Sequence, residues 1–155
     1  MSYLLASDII SGIEGTVWAT IDGQVVECAE IRNLTATMDK NKTEVRTLGN
    51  RATQHKATGW SGSGSFTFYY VTTRWAKMLI DYAKTGKDLY FDIVVKNEDP
   101  TSTVGSQKIK LGQCNIDGGD IAKVDVDADL LDTSVNFTFS QVDVLEQFKP
   151  YNVAQ

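Results

Sequence analysis

Period-two alternation of apolar and polar side chains runs through much of this chain, and it restricts the fold to one built from half-buried strands. Phe66, Phe68 and Tyr70 alternate with Ser65, Thr67 and Tyr69, and Leu89, Phe91, Ile93 and Val95 share one side of residues 89–96. Ala122, Val124 and Val126 alternate with Lys123, Asp125 and Asp127, and Leu131, Val135, Phe137 and Phe139 alternate with polar positions. Successive side chains of a strand point to opposite faces, so each run offers one face to a core and one to water. Residues 16–21 and 106–116 read as further strands, the second followed by a turn at 117–119. Asp22-Gly23 is a hairpin signal, because Gly and Asp tolerate the positive φ that tight hairpin turns demand. Residues 24–38 read as one long or broken strand, with Leu34, Ala36 and Met38 opposite Asn33, Thr35 and Thr37.

One stretch breaks the pattern towards a helix. Trp75, Met78, Leu79 and Tyr82 recur at helical spacing after Thr72 and Thr73, either of which caps a helix, and Gly86 ends it. Strands, one helix, then more strands imply a mainly β fold: an antiparallel β-sandwich or barrel with one flanking α-helix. The 155 residues show no internal repeat or linker and read as a single domain, 1–155. Residues 1–15 form an N-terminal arm that lies on its own domain or on a neighbour, and residues 145–155 form a C-terminal tail.

Between two strand-like runs sits a polar excursion, residues 39–64, read as a long loop. Loops of this length are uncommon and are functional or disordered. It contains Val45, Leu48 and Trp60 and no proline, which favours contact with another protein over disorder.

Charge and cysteine content narrow the function. The net charge is −5 and the pI about 4.8, a balance that argues against tight binding to nucleic acid. Cys28 and Cys114 stand far apart, belong to no metal-binding motif and do not make a disulfide framework; reduced, half-buried thiols in a cytosolic protein are expected. Neither a signal peptide nor a membrane-spanning run is expected.

Catalytic chemistry is poorly served. His55 is the sole histidine and lies in a polar stretch, and no nucleophile-elbow motif accompanies it. Asp125, Asp127, Asp129 and Asp132 imitate a calcium loop, but Leu130 and Asn136 stand where Gly and Glu are needed. Gly59, Gly62 and Gly64 lead into a strand rather than a helix, which suits a flexible approach to that strand better than a phosphate cradle. An enzyme is not expected, nor a cofactor or metal.

Several segments together resemble a known family. Residues 41–46 (NKTEVR), Leu48-Gly49 and residues 55–60 (HKATGW) are similar to the tail tube proteins of contractile phage tails, in particular those of PBSX-type prophages and R-type, diffocin-like bacteriocins. Residues 68–72 (FYYVT), 90–93 (YFDI), 97–102 (NEDPTS) and 124–129 (VDVDAD) fit the same pattern, and the likeness runs from about Gly12 to Phe148. The resemblance implies a small β-sandwich with a flanking helix. It also implies a hexameric ring whose sheets join into a barrel around a channel, and stacking of rings into a tube inside a sheath.

Implied partners are further copies of the chain, the sheath, baseplate and tail-terminator proteins, and a tape measure protein in the lumen. DNA passes without specific binding, and the tube penetrates a bacterial envelope. Assembly would take place in the host cytoplasm, and the product would be a virion tail or an extracellular tail-like particle. Under this resemblance residues 39–60 are the natural inter-ring projection, with Lys42, Glu44, Arg46, Arg51, His55 and Trp60 as its contact residues. For Trp60, burial in its own core fits equally well. Asp125 and Asp127 are candidates for the channel face, with an outward placement equally consistent. The competing reading is a β-sandwich binding module, such as a baseplate or carbohydrate-recognising protein; Trp18, Trp60 and Trp75 are spread too widely to suggest a sugar platform.

Overall fold

A computed structural model describes residues 3–151. Its strands are β1 (Gly15–Ile21), β2 (Gln24–Glu27), β3 (Ile31–Val45), β4 (Gln54–Tyr69), β5 (Phe91–Glu98), β6 (Ser106–Gly119), β7 (Asp132–Phe139) and β8 (Gln141–Glu146), with one α-helix, α1 (Arg74–Thr85). All pairs are antiparallel, in the order β2-β1-β5-β6-β7-β4-β3, with β8 added to β6.

β6 turns this ladder into two layers. Its first part pairs with β5 on one side and β8 on the other, while residues 115–119 pair with β7. The change falls at Gln113, whose φ is +53° and whose N–H donates to Asp92 Oδ1 at 3.3 Å. A strand that switches sheets at such a bulge makes the corner of a sandwich. The apolar faces of both layers meet in a core of Phe66, Phe68, Phe91, Ile93, Leu111, Cys114, Val135 and Phe137. α1 closes one end, with Trp75 buried at centroid distances of 4.9 Å from Phe66 and 5.6 Å from Phe91. Thr72 Oγ1 accepts from the Arg74 N–H, and Gly86, at φ +73°, donates back to Tyr82 O and stops the helix. Asp22 and Gly23 take φ of +51° and +79° in the β1–β2 turn, as their identities require.

Several expectations need correction. The excursion at 39–64 is no loop: β3 and β4 run through it as a hairpin, and only residues 46–53 lie outside strands. Backbone pairing holds it together while both faces stay wet, so no hydrophobic period betrays it. Residues 121–127, read as a strand, join no sheet among the described residues. Residues 117–119 belong to β6 rather than to a turn. Cys28–Glu30 splits the run 24–38 into β2 and β3, with the Cys28 N–H donating to Val17 O at 2.8 Å. The start of the C-terminal tail is strand, since β8 extends β7 past Ser140 along β6.

The described part of the N-terminal arm lies on its own domain. Ser11 N–H donates to Asp99 Oδ2 at 2.9 Å, Thr103 N–H to Ser7 O at 3.1 Å, and Glu98 N–H to Glu14 O at 3.3 Å.

Candidate assembly surfaces

The second layer, residues 115–119 of β6 with β7, β4 and β3, narrows abruptly. β7 ends where Phe139 pairs with Gly62. Beyond that point β3 and β4 continue alone, with register pairs Lys40–Trp60, Lys42–Ala57 and Glu44–His55. Every residue from 39 to 61 is exposed except half-buried Val45. A lone two-stranded ribbon is marginally stable in water.

The structure brings four of the six predicted contact residues to one face. Paired residues share a face and β3 alternates regularly there, so Lys42, Glu44, His55 and Trp60 all lie on the side that is continuous with the core. Arg46 and Arg51 are on the tip loop, flanking a fully exposed Leu48. Among the described residues none of these charges takes part in an ion pair; those found lie elsewhere, as in Arg32–Asp132 and Arg74–Glu30. Trp60 is 39% exposed and tilts against Phe139 at a centroid distance of 6.1 Å, so it is half anchored and half offered. It opens onto a groove of about 390 Å³ lined by Met38, Lys40, Ala57, Gly59, Trp60 and Val142.

The borders of this layer are open. Among the described residues β3 has no neighbour on the edge away from β4, and residues 115–119 of β6 pair only with β7. Such free edges seed pairing with another chain.

The layer's outward face collects the polar positions that alternate with the core. It carries Asn33, Thr35 and Thr37 from β3, Ser61, Ser63, Ser65 and Thr67 from β4, and Ser134, Asn136 and Thr138 from β7. Its charges lie at the margins: Asp39 and Asp117, and an Arg32–Asp132 ion pair beside Tyr69, with Arg32 5.4 Å from the Tyr69 ring centroid. The signal was available, since these are the polar partners of the apolar positions that defined the strands.

Asp125 and Asp127 lie off the sheet, in the exposed segment 120–131, with the Asp127 N–H donating to Asp125 Oδ1 at 3.0 Å. Among the described residues no cluster of His, Cys, Asp and Glu is arranged to hold a metal. Both thiols are buried, and desolvation pushes Cys28 up to about 11 and Cys114 up to about 12.

Residues 2–146 match the protein family described as phage tail tube protein. Two Bacillus subtilis (strain 168) proteins are similar over nearly their whole length. The phage-like element PBSX protein XkdM is 40% identical over 144 residues, 93% of this chain and 95% of that protein. Uncharacterized protein YqbM is 41% identical over 146 residues, 94% of this chain and 97% of that protein. Among solved structures, a chain from the tube-terminating cap of the anti-feeding prophage superposes with a TM-score of 0.68 at 8% identity, covering 92% of this chain and 94% of that one. A chain from the sheath–tube complex of the PVC extracellular contractile injection system does so with a TM-score of 0.64 at 11% identity, covering 88% and 90%. At such identities the likeness is one of fold. The mainly β sandwich with one helix and the family resemblance read from the sequence are both borne out, and this chain belongs to the phage tail tube protein family.

Proposed function

We propose that this chain is the structural subunit of the inner tube of a contractile phage tail or phage-tail-like bacteriocin, assembling as stacked hexameric rings around a channel for DNA or ions. The observation that carries this reading is the layer with two open borders, β3 on one side and residues 115–119 of β6 on the other. Edge-to-edge pairing of those borders between copies is heterologous and closes into a ring when the rotation per subunit fits. Each copy then contributes a piece of wall with an apolar back and a wet front.

The wet front is the face of Ser, Thr and Asn side chains, and we assign it to the channel. Arg32 on this face is already paired with Asp132, so the wall offers a passing polyanion little free positive charge and DNA moves through without sticking. Asp125 and Asp127, off this wall, take a different role in the assembly. The ribbon of residues 39–61 reaches out to the next ring, with Lys42, Glu44, Arg46, Arg51, His55 and Trp60 as contact residues. The role is structural rather than catalytic. Sheath, baseplate, terminator and tape measure proteins are its partners, in line with the cap and sheath–tube assemblies from which its structural neighbours come. The tube forms in the bacterial cytoplasm, ends up in a virion or extracellular particle, and crosses the target envelope on contraction.

Negative-stain electron microscopy of the purified chain, alone and with its tail partners, should show rings or hollow tubes. Charge reversal at Lys42, Arg46 and Arg51 should abolish the tubes. A chain that stays monomeric at high concentration, with and without partners, would refute the reading.

A further inference from the structure

Residues 120–131, between β6 and β7, hold a contradiction between sequence and setting. Val124-Asp125-Val126-Asp127 has the alternation of a half-covered strand, yet it joins no sheet, and Val124 and Val126 are 97% and 95% exposed. At the other end of the same layer, the groove beside Trp60 has an apolar floor of Met38, Ala57 and Val142, with Lys40 at its lip and Lys42 next on that face. Charge follows the same complementarity. Ribbon residues 39–56 carry Lys40, Lys42, Arg46, Arg51 and Lys56 against Asp39 and Glu44, whereas residues 120–131 carry four aspartates against Lys123.

The segment cannot fill its own groove. Leu131 O accepts from the Tyr70 N–H at 2.9 Å, and Lys123 Nζ donates to Asp132 O at 2.6 Å, so both flanks are held at the Tyr69 end of β4. From Tyr69 to Trp60, β4 runs roughly 30 Å at a strand's rise per residue. The chain from Leu131 back to Val126, fully extended, spans about 18 Å at most.

We infer that residues 124–127 dock into the Trp60 groove of a second copy of this chain, valines on Met38 and Trp60, aspartates against Lys40 and Lys42. Donor and acceptor lie at opposite ends of one layer, so the contact is head-to-tail and propagates along the strands instead of closing a dimer. The inference rests on the tube reading and names the axial contact within it.

Two experiments on the full chain decide it. With Val126→Cys and Ala57→Cys combined, oxidation after assembly should give a ladder of cross-linked oligomers on a non-reducing denaturing gel, and each single variant should give monomer. Native Cys28 and Cys114, 4% and 0% exposed, do not compete. Asp125→Lys with Asp127→Lys should raise the concentration needed for tube formation about tenfold or more, and adding Lys40→Asp with Lys42→Asp should restore it. Tubes of normal length from the aspartate variant, without a ladder from the cysteine pair, overturn the docking and leave the tube reading standing. Cross-linking that stops at dimers overturns the head-to-tail geometry. No tubes from the unaltered chain with its tail partners overturns both readings.

Discussion

Gly62 lies flat against the ring of Phe139: a Cβ built on it would come within 2.6 Å of Phe139 Cζ. Two residues on, a Cβ at Gly64 would meet Thr35 O at 2.6 Å and Phe137 Cζ at 2.7 Å. These glycines are packing devices rather than flexible links, because bare backbone is what lets the two rings lie down across β4. Gly62→Ala or Gly64→Ala should therefore lower the unfolding free energy by about 1–3 kcal/mol through overpacking. Urea denaturation checks this, with the midpoint falling and the slope unchanged.

Trp75 anchors α1 to both layers through Phe66 and Phe91, and among the described residues its buried Nε1 has no hydrogen-bond partner. Trp75→Ala should cost about 3–5 kcal/mol as a large-to-small change in the core. Trp75→Phe should cost clearly less, since a ring remains and the orphaned N–H disappears. Denaturant unfolding of the two variants side by side tests the order.

Burial raises both thiols, Cys28 to about 11 and Cys114 to about 12, from an ordinary 9.0. The unfolded thiol then ionises first as pH rises, so the folded state binds more protons between these values and stability falls from about pH 9 upward. Below that window the thiols add no pH dependence. Native protein at pH 8 should be inert to a thiol-reactive dye and should react at two sites once unfolded.

Asp99 is a buried carboxylate held below its usual range by the Ser11 N–H, then by the Thr101 hydroxyl and N–H. Its folded value is depressed, so its contribution is present above the ordinary carboxylate value of 3.8 and is lost as pH falls through the lower folded value. Because Ser11 belongs to the arm, acidification or Asp99→Asn should free the arm first. Hydrogen exchange at Ser11 should accelerate before exchange in β4 does.

The face of Ser, Thr and Asn side chains, whose Arg32 is paired with Asp132, predicts behaviour towards DNA. Tubes of the unaltered chain should not retain short duplexes. Tubes carrying Ser63→Lys with Asn136→Lys should retain them at low salt and release them steeply as salt rises. Fluorescence anisotropy of labelled DNA reads both.

Much of the fold was legible in the residues, and the reason is burial. Phe66, Phe68, Val135 and Phe137 are buried on one side of their strands, and that one-sidedness writes a period of two into the sequence. α1 announced itself the same way, through Trp75, Met78 and Leu79 on one stripe and Gly86 past its end. The ribbon of β3 and β4 left no such trace. Its residues are exposed on both sides, so nothing constrains their polarity, and the backbone ladder that makes it a hairpin is blind to side chains. Residues 121–127 show the converse: their alternation is as regular as any strand's, but a strand exists only where another edge receives it.

What the sequence determined alone was the local menu: which runs alternate, where the helix begins and ends, which dipeptide turns, and which family the chain resembles. Tertiary structure alone decided that β6 changes layers at Gln113 and that Lys42, Glu44, His55 and Trp60 fall on one face. It also gathered Ser, Thr and Asn from three strands into one surface. Those are facts of register and strand order, set by pairing between residues distant along the chain, and no local pattern encodes them.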